Sequence, residues 1–429
     1  KAGQLIKKTL DNKTNVTYTY DPDDGMLNSM ENQAMKIDIT YDSKDMLQKI
    51  SRRFKNNPLT VDLDYDKFRE KGWPDTLYNM MLSDDDYSSA GYGYYDPHGL
   101  YPTDMYISSY LWLDLSYDDL SRLTEVYDSY TGLSGTFSYD QGDRLKKTAF
   151  SGEDSFSVEF DYSAAGYMTS LQHQEGTSSL SYDQARRLTE MVHANASISE
   201  NEFSYDAAGN RRIKSQESQF DYDASNRLLE DKDYKYEYDG SGNLISKENK
   251  ASGNKTSYSY NSENYLTKVQ IPDGTVVEFT YGPMGRRIQK SLNGSVLVRY
   301  IHKGNQLIAE FDGTNTLSRQ YLLNTEIDKT RGMRVGTLSS YEDYFYYIDD
   351  LGTVYAVVED WGDIVNEYRY KSFGSPVFLK ESVECNQLFA GAYYDRETGL
   401  YFMRYRYYDP ETGRFLQKDP LLLNMAVST

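Results

Sequence analysis

Near the end of the 429-residue chain two carboxylates, Asp409 in YYDPETG and Asp419 in QKDP, stand ten residues apart with Arg404, Arg406 and Arg414 nearby in sequence. Carboxyl groups brought close share a proton, split their pKa values and can activate water. The structural alternative is that Asp409 caps a turn and Asp419 closes the last one. Other chemistry is sparse. Cys385 is the only cysteine, which excludes an internal disulfide or a CxxC site. His98, His173, His193 and His302 lie far apart and form no HxxxH or HExxH pattern, so neither a metal nor a cofactor is expected. The acidic stretches 21–25 and 83–87 lack EF-hand spacing and read as solvated turns. Segment 350–357 has one glycine and cannot cradle a phosphate.

Composition narrows the classes further. Lys and Arg number 46 against 66 Asp and Glu, a net charge of −20 that repels nucleic acid and anionic membranes. There is no run of 18 apolar residues, hence no helical membrane span, and no signal-peptide core at the start of the chain. The low hydrophobic fraction (38%) suggests disorder, but 43 Tyr, 16 Phe and 3 Trp argue against it. Each aromatic side chain buries roughly 150–250 Å² and can build a core that hydropathy undervalues.

The elements that must position any site come from a repeat. An alternating run ends in Tyr-Asp, followed by two spacers, a turn residue and a Leu, as in YKYEYDGSGNL from Tyr234. The anchoring tyrosines, Tyr20 through Tyr281, mostly recur every 20–24 residues. Alternation puts Tyr234, Tyr236 and Tyr238 on one strand face and Lys235 and Glu237 on the other. The turn slot holds Gly166, Gly209, Gly242 and Gly285, or Asp24, Asp143, Asn226 and Asn264, types that tolerate positive φ. Ser121 and Arg186 are its exceptions. Tyr205-Asp206 with Gly209, and Tyr238-Asp239 with Gly242, typify the unit. Each unit is a β-hairpin, and hairpins must pair edge to edge to bury their aromatic faces. The expected fold is all-β, a long curling antiparallel sheet, with tyrosine hydroxyls at a wet inner wall.

The hairpin unit resembles the YD repeat of bacterial Rhs proteins, wall-associated proteins, toxin-complex C components and teneurins. Residues 345–377 are similar to the Rhs signature. Residues 388–420, with Tyr408, Asp409, Pro410, Gly413, Arg414 and Phe415, are similar to the Rhs-associated core. The resemblance implies a spiral shell over residues 1–330 and a core domain over 331–429. It implies a secreted or cell-surface protein whose shell encloses a tethered C-terminal polypeptide, often a toxin.

In some relatives the core is an aspartyl autoprotease, which would assign Asp409 and Asp419 as catalytic. Here the sequence after Asp419 reads PLLLNMAVST and departs from the family's cleavage motif, leaving structural capping as the preferred role. The remaining rival is an adhesin that stacks glycans or meets cell-surface proteins, with Trp73, Trp112 and Trp361 as candidates.

Overall fold

The computed structural model describes residues 4–10, 14–22, 25–41, 47–55, 60–64, 78–82, 86–92, 104–107, 111–128, 132–174, 176–193, 195, 199–200, 203–213, 220–322, 329–337 and 339–419. Among them the structure is antiparallel β throughout, apart from one short 3₁₀ turn at Phe389–Gly391. A first meander of 17 strands runs through residues 7–193, each strand hydrogen-bonded to its chain neighbours. The hairpin Phe203–Tyr205/Arg211–Ile213 follows. A second meander of 16 strands fills 221–381, and a four-stranded sheet closes the described chain at 393–415. Sheet pairing passes through residue 330 without a break, since Leu317–Leu322 pairs with Gly332–Gly336.

The repeat dictates the register. Tyr238 pairs with Leu244, whereas Glu237, one residue earlier, pairs with Ser246, so Ile245 is an extra residue on the returning strand. The same one-residue bulge precedes Tyr41, Tyr117, Tyr139, Tyr162, Tyr182, Tyr222, Tyr260 and Tyr281. Bulges raise local twist, so their recurrence bends the ribbon repeatedly; the Tyr205 hairpin pairs without one. The turn slot is left-handed where expected: Gly166, Gly209, Gly242, Gly285, Asp143, Asn226 and Asn264 have φ between 60° and 88°. Ser121 and Arg186 adopt it too, at 61° and 70°, because the turn geometry overrides their preference. In the first unit the positive φ falls on Gly25 (85°), while Asp24, like Trp73, Tyr65, Tyr95, Gly99 and His98, lies outside the described residues.

Alternation holds as well, with Tyr236 buried between exposed Lys235 and Glu237. The anchoring tyrosines Tyr41, Tyr117, Tyr139, Tyr162, Tyr182, Tyr205, Tyr222, Tyr238 and Tyr260 are half-buried and Tyr281 is buried, while rings of the later strands enter the core. The two meanders pack face to face. Tyr347 meets Phe150 and Phe156 edge-on at 5.2 Å, Arg331 lies over Phe137, and Tyr355 tilts against His173 at 5.4 Å. One continuous core joins both sheets and a second fills the space between Phe220–Tyr281 and the C-terminal strands.

Candidate functional site

In most of the described hairpins an Asp after the signature Tyr organises the turn; Ser163, Asn261 and Gly282 take that position elsewhere. Asp239 Oδ1 accepts the Asn243 amide at 2.8 Å, its Oδ2 accepts Asn243 Nδ2 at 2.9 Å, and Gly242 N–H donates to the Asp239 carbonyl at 3.0 Å. Asp206 does the same with Asn210 and Gly209. In other units an arginine takes the Asn position. Arg144 donates to Asp140 at 2.7 Å and stacks over Tyr162, 4.7 Å from its centroid; Arg187 treats Asp183 and Tyr205 alike. Arg144 holds the Asp140 carboxyl down at about 2. The tyrosine hydroxyl reaches the neighbouring repeat: Tyr162 donates to Leu145 O, Tyr205 to Leu188 O, Tyr260 to Leu244 O and Tyr281 to Leu266 O, at 2.6–2.9 Å. That answers why Tyr rather than Phe recurs: its hydroxyl partner is the backbone of the previous turn, so no water is needed.

The C-terminal sheet repeats this device and aims it at the second meander. Its two hairpins, YYDRETG and YYDPETG, each carry an Asp that meets a lysine. Asp409 Oδ2 lies 3.1 Å from Lys247 Nζ, and Asp409 Oδ1 accepts the Glu411 amide at 2.9 Å. Asp395, fully buried, lies 3.3 Å from Lys290 and bonds Arg287, while Glu397 holds Lys290 at 2.9 Å. Arg287 is caged by the rings of Tyr300, Tyr393 and Phe402 at 4.4–4.9 Å. Burial alone would lower the pKa of Lys290, but the surrounding Tyr300, Asp395 and Glu397 outweigh it and raise it above the usual lysine range. Lys247 is raised in the same way by Asp409.

The remaining signature residues are anchors. Tyr408 donates to Phe373 O at 2.9 Å, and Tyr401 to Gly374 O at 2.9 Å. Pro410 is buried. Gly413, at φ 67°, donates to Asp409 O and faces the Phe373 ring. Arg414 bonds Asn226 O and stacks on Tyr222, and Phe415 packs edge-on against Tyr408 with Arg406 over its ring at 3.7 Å. From the other side, Arg211 donates to the carbonyls of Glu411 and Thr412 at 2.9–3.1 Å.

Asp419 pairs with Arg406 at 3.2 Å. The two carboxylates singled out from the sequence thus have separate cationic partners, Lys247 and Arg406. Asp395, the most deeply buried of the three, went unnamed; its signal was the internal repeat of YYD-x-ETG. Cys385 is fully buried, its thiol donates to Gln387 O at 3.3 Å, and burial pushes it up to about 12. Trp361 is exposed at a turn, and the Trp112 side chain lies outside the described residues, as does most of the 83–87 stretch. Among the described residues, no three His, Cys, Asp or Glu side chains gather as metal ligands, and no helix is long and apolar enough to cross a membrane.

Antiparallel hairpins that share a Tyr-to-backbone ladder and are pinned by a terminal pair of Tyr-Tyr-Asp hairpins define a YD-repeat protein. The chain belongs to the teneurin YD-shell family, whose pattern it matches over residues 1–428. Its relatives include Rhs-family toxins. It is 29% identical over 354 residues to the double-stranded DNA deaminase toxin A of Burkholderia cenocepacia, covering 74% of this chain and 21% of that protein. It is 32% identical over 179 residues to the tRNA nuclease WapA of Bacillus subtilis, covering 40% and 7%. The chain therefore spans less than a quarter of the length of these relatives. Among solved structures it is similar to the TcdB2-TccC3-TEV crystal structure, at 14% identity and a TM-score of 0.46, covering 97% of this chain and 27% of that one.

Proposed function

We propose that this chain is the wall and closing segment of a shell that encloses or presents an exported polypeptide, in toxin delivery or contact between cells. Residues 1–330 form the repeat wall and residues 331–429 the closing core, a division of roles rather than of sheets. The observation that carries the reading is the anchoring of the terminal hairpins. Asp395 and Asp409 each place a buried carboxylate against a cation of the second meander, a cost in desolvation that a solvent-facing end would not incur. The relatives support it: they are much longer proteins named for nuclease or deaminase activities, a length that leaves room for a cargo. A surface or secreted location follows from that role.

In this reading Asp409 and Asp419 are anchors rather than an autoproteolytic pair, each held by its own cation, Lys247 and Arg406. An aromatic glycan groove is disfavoured because the tyrosines of 344–370 are buried. The test is limited proteolysis of the complete natural polypeptide. The segment following this one should survive protease while the shell is intact and be digested once Asp395→Ala loosens the core. Equal digestion of that segment with the shell intact would refute enclosure.

A further inference from the structure

Two adjoining cavities lie where the first meander, the second meander and the C-terminal sheet meet, and they share the side chains of Arg286, Tyr300 and His302. The larger, of about 350 Å³, has Arg286, Arg287, Arg404 and Arg406 in its wall and no carboxylate. The smaller, of about 190 Å³, is lined by Met30, Met35, Ile37, Ile39, Ile50 and Ile288, among others. The larger chamber is cationic, and the smaller is mostly aliphatic, with Arg52 and the shared Arg286 in its wall.

A cationic wall runs against the character of a chain with net charge −20. Arg287 is neutralised by Asp395, and Arg406 by Asp419. Arg286 differs. Its hydrogen bonds run to neutral oxygens: the Gly304 carbonyl at 2.9 Å, the Tyr405 hydroxyl and Asn305 Oδ1. A guanidinium has five N–H donors, and the Arg286 bonds among the described residues take three of them, none to a carboxylate.

A second observation is independent of charge. The Tyr300 hydroxyl and Gln387 Oε1 belong to residues that line the larger cavity, both residues are more than nine-tenths buried, and neither atom has a hydrogen-bond partner. Buried polar atoms are almost always paired, so these two await a group that the folded chain does not supply. His302, on the wall between the chambers, is held neutral: burial, with Arg52, Arg286 and Arg287 nearby, pulls its pKa down to about 3. The Arg406–Asp419 pair, partly exposed, marks the rim.

A mostly apolar recess with a few convergent polar groups is how small-molecule sites are built. We propose that the joined cavities bind an aliphatic monocarboxylate, with its head on Arg286 and its tail among the Met and Ile side chains of residues 30–50. Arginine suits such a head because two parallel N–H···O bonds fit a carboxylate.

Calorimetric titration of the full chain with decanoate, decanol, acetate and inorganic phosphate tests this. Saturable one-to-one binding of decanoate is expected, with decanol and acetate at least tenfold weaker. Arg286→Gln and Ile39→Ser should each weaken decanoate about tenfold, with near-UV circular dichroism confirming each variant's fold. The ligand series on the unaltered protein decides the matter even if a variant fails to fold. Equal affinity for acetate or phosphate would reduce the site to a plain anion pocket. Equal affinity for decanol would remove the role of Arg286, and no decanoate heat would make the cavities mere packing gaps. Each of those three results overturns the proposal.

Discussion

Asp395 and Lys290 stand 3.3 Å apart across 105 residues of sequence, both almost wholly buried, with Arg287 bonded to the other oxygen of the same carboxylate. Removing one partner of a buried ionic group leaves uncompensated charge, at a cost of about 3–5 kcal/mol. Asp395→Asn should therefore lower the unfolding free energy obtained from guanidinium titration by about 3–5 kcal/mol. Asp409→Asn should cost less, because Lys247 keeps more contact with water than Lys290 does. Equal losses in the two variants would mean that burial does not set the strength of these anchors.

Tyr281 carries the repeat's hydroxyl ladder in its driest setting, donating to Leu266 O at 2.6 Å inside the second core. Tyr281→Phe leaves that carbonyl unpaired, and a buried unsatisfied acceptor costs about 1–3 kcal/mol. Tyr300→Phe removes a hydroxyl that has no partner and should leave stability unchanged or slightly raised. Chemical denaturation of the two variants side by side separates a hydrogen-bonding role from simple ring packing.

The hairpin was legible in the sequence because its determinants are local. Alternation fixed the strand faces, Tyr-Asp fixed the turn, and Gly or Asn marked the left-handed slot, as at Gly242 and Asn264. What lay beyond reach was tertiary. Nothing within a single repeat says that Tyr205 will bond the carbonyl of Leu188, or that Tyr347 will lodge against Phe150 and Phe156 on the other sheet. The hydroxyl's partner is not readable from one repeat either: a half-buried ring could turn its hydroxyl to water, while the neighbouring turn offers a carbonyl, as Leu145 does for Tyr162. The ionic anchors were half visible, since Asp409 stands in a recognisable segment but Lys247, Lys290 and Arg287 lie on strands more than 100 residues away.

Gly374 and Gly209 share a left-handed conformation, φ 93° and 85°, but not their surroundings. A Cβ on Gly209 would meet nothing within 4 Å, whereas one on Gly374 would fall 2.5 Å from the Phe389 ring. Gly209→Ala should cost only the backbone penalty of about 1–2 kcal/mol. Gly374→Ala should cost clearly more, and Phe389→Ala placed on top of it should recover part of the difference in a double-mutant cycle. Strict additivity of the two substitutions would show that the ring is not what excludes a side chain at Gly374.

Asp349 occupies the turn position that Asp140 and Asp183 fill elsewhere, and its Oδ1 accepts the Leu351 and Thr353 amides at 2.8–2.9 Å. Elsewhere an Arg or Asn four residues after the Asp bonds the second carboxylate oxygen; here that residue is Thr353, and the Tyr355 hydroxyl stands 3.4 Å from Oδ2. Burial, with Asp350 adding a like charge, raises the Asp349 pKa from 3.8 to about 6. The folded chain thus binds this proton more tightly than the unfolded chain does. Below pH 3.8 the carboxyl is protonated in both states and its contribution to stability is fully present; as pH rises through 6 the folded form must ionise and that contribution is lost. Each pH unit between those two values is worth about 1.4 kcal/mol, so the loss at neutral pH is roughly 3 kcal/mol at most. Asparagine fits the same slot, as Asn261 shows by accepting the Glu263 and Tyr265 amides at 3.0 Å. Asp349→Asn should therefore match the parent's urea midpoint near pH 4 and exceed it increasingly up to pH 7. A gap between the two proteins that stays constant with pH would mean that Asp349 ionises as freely in the turn as in water.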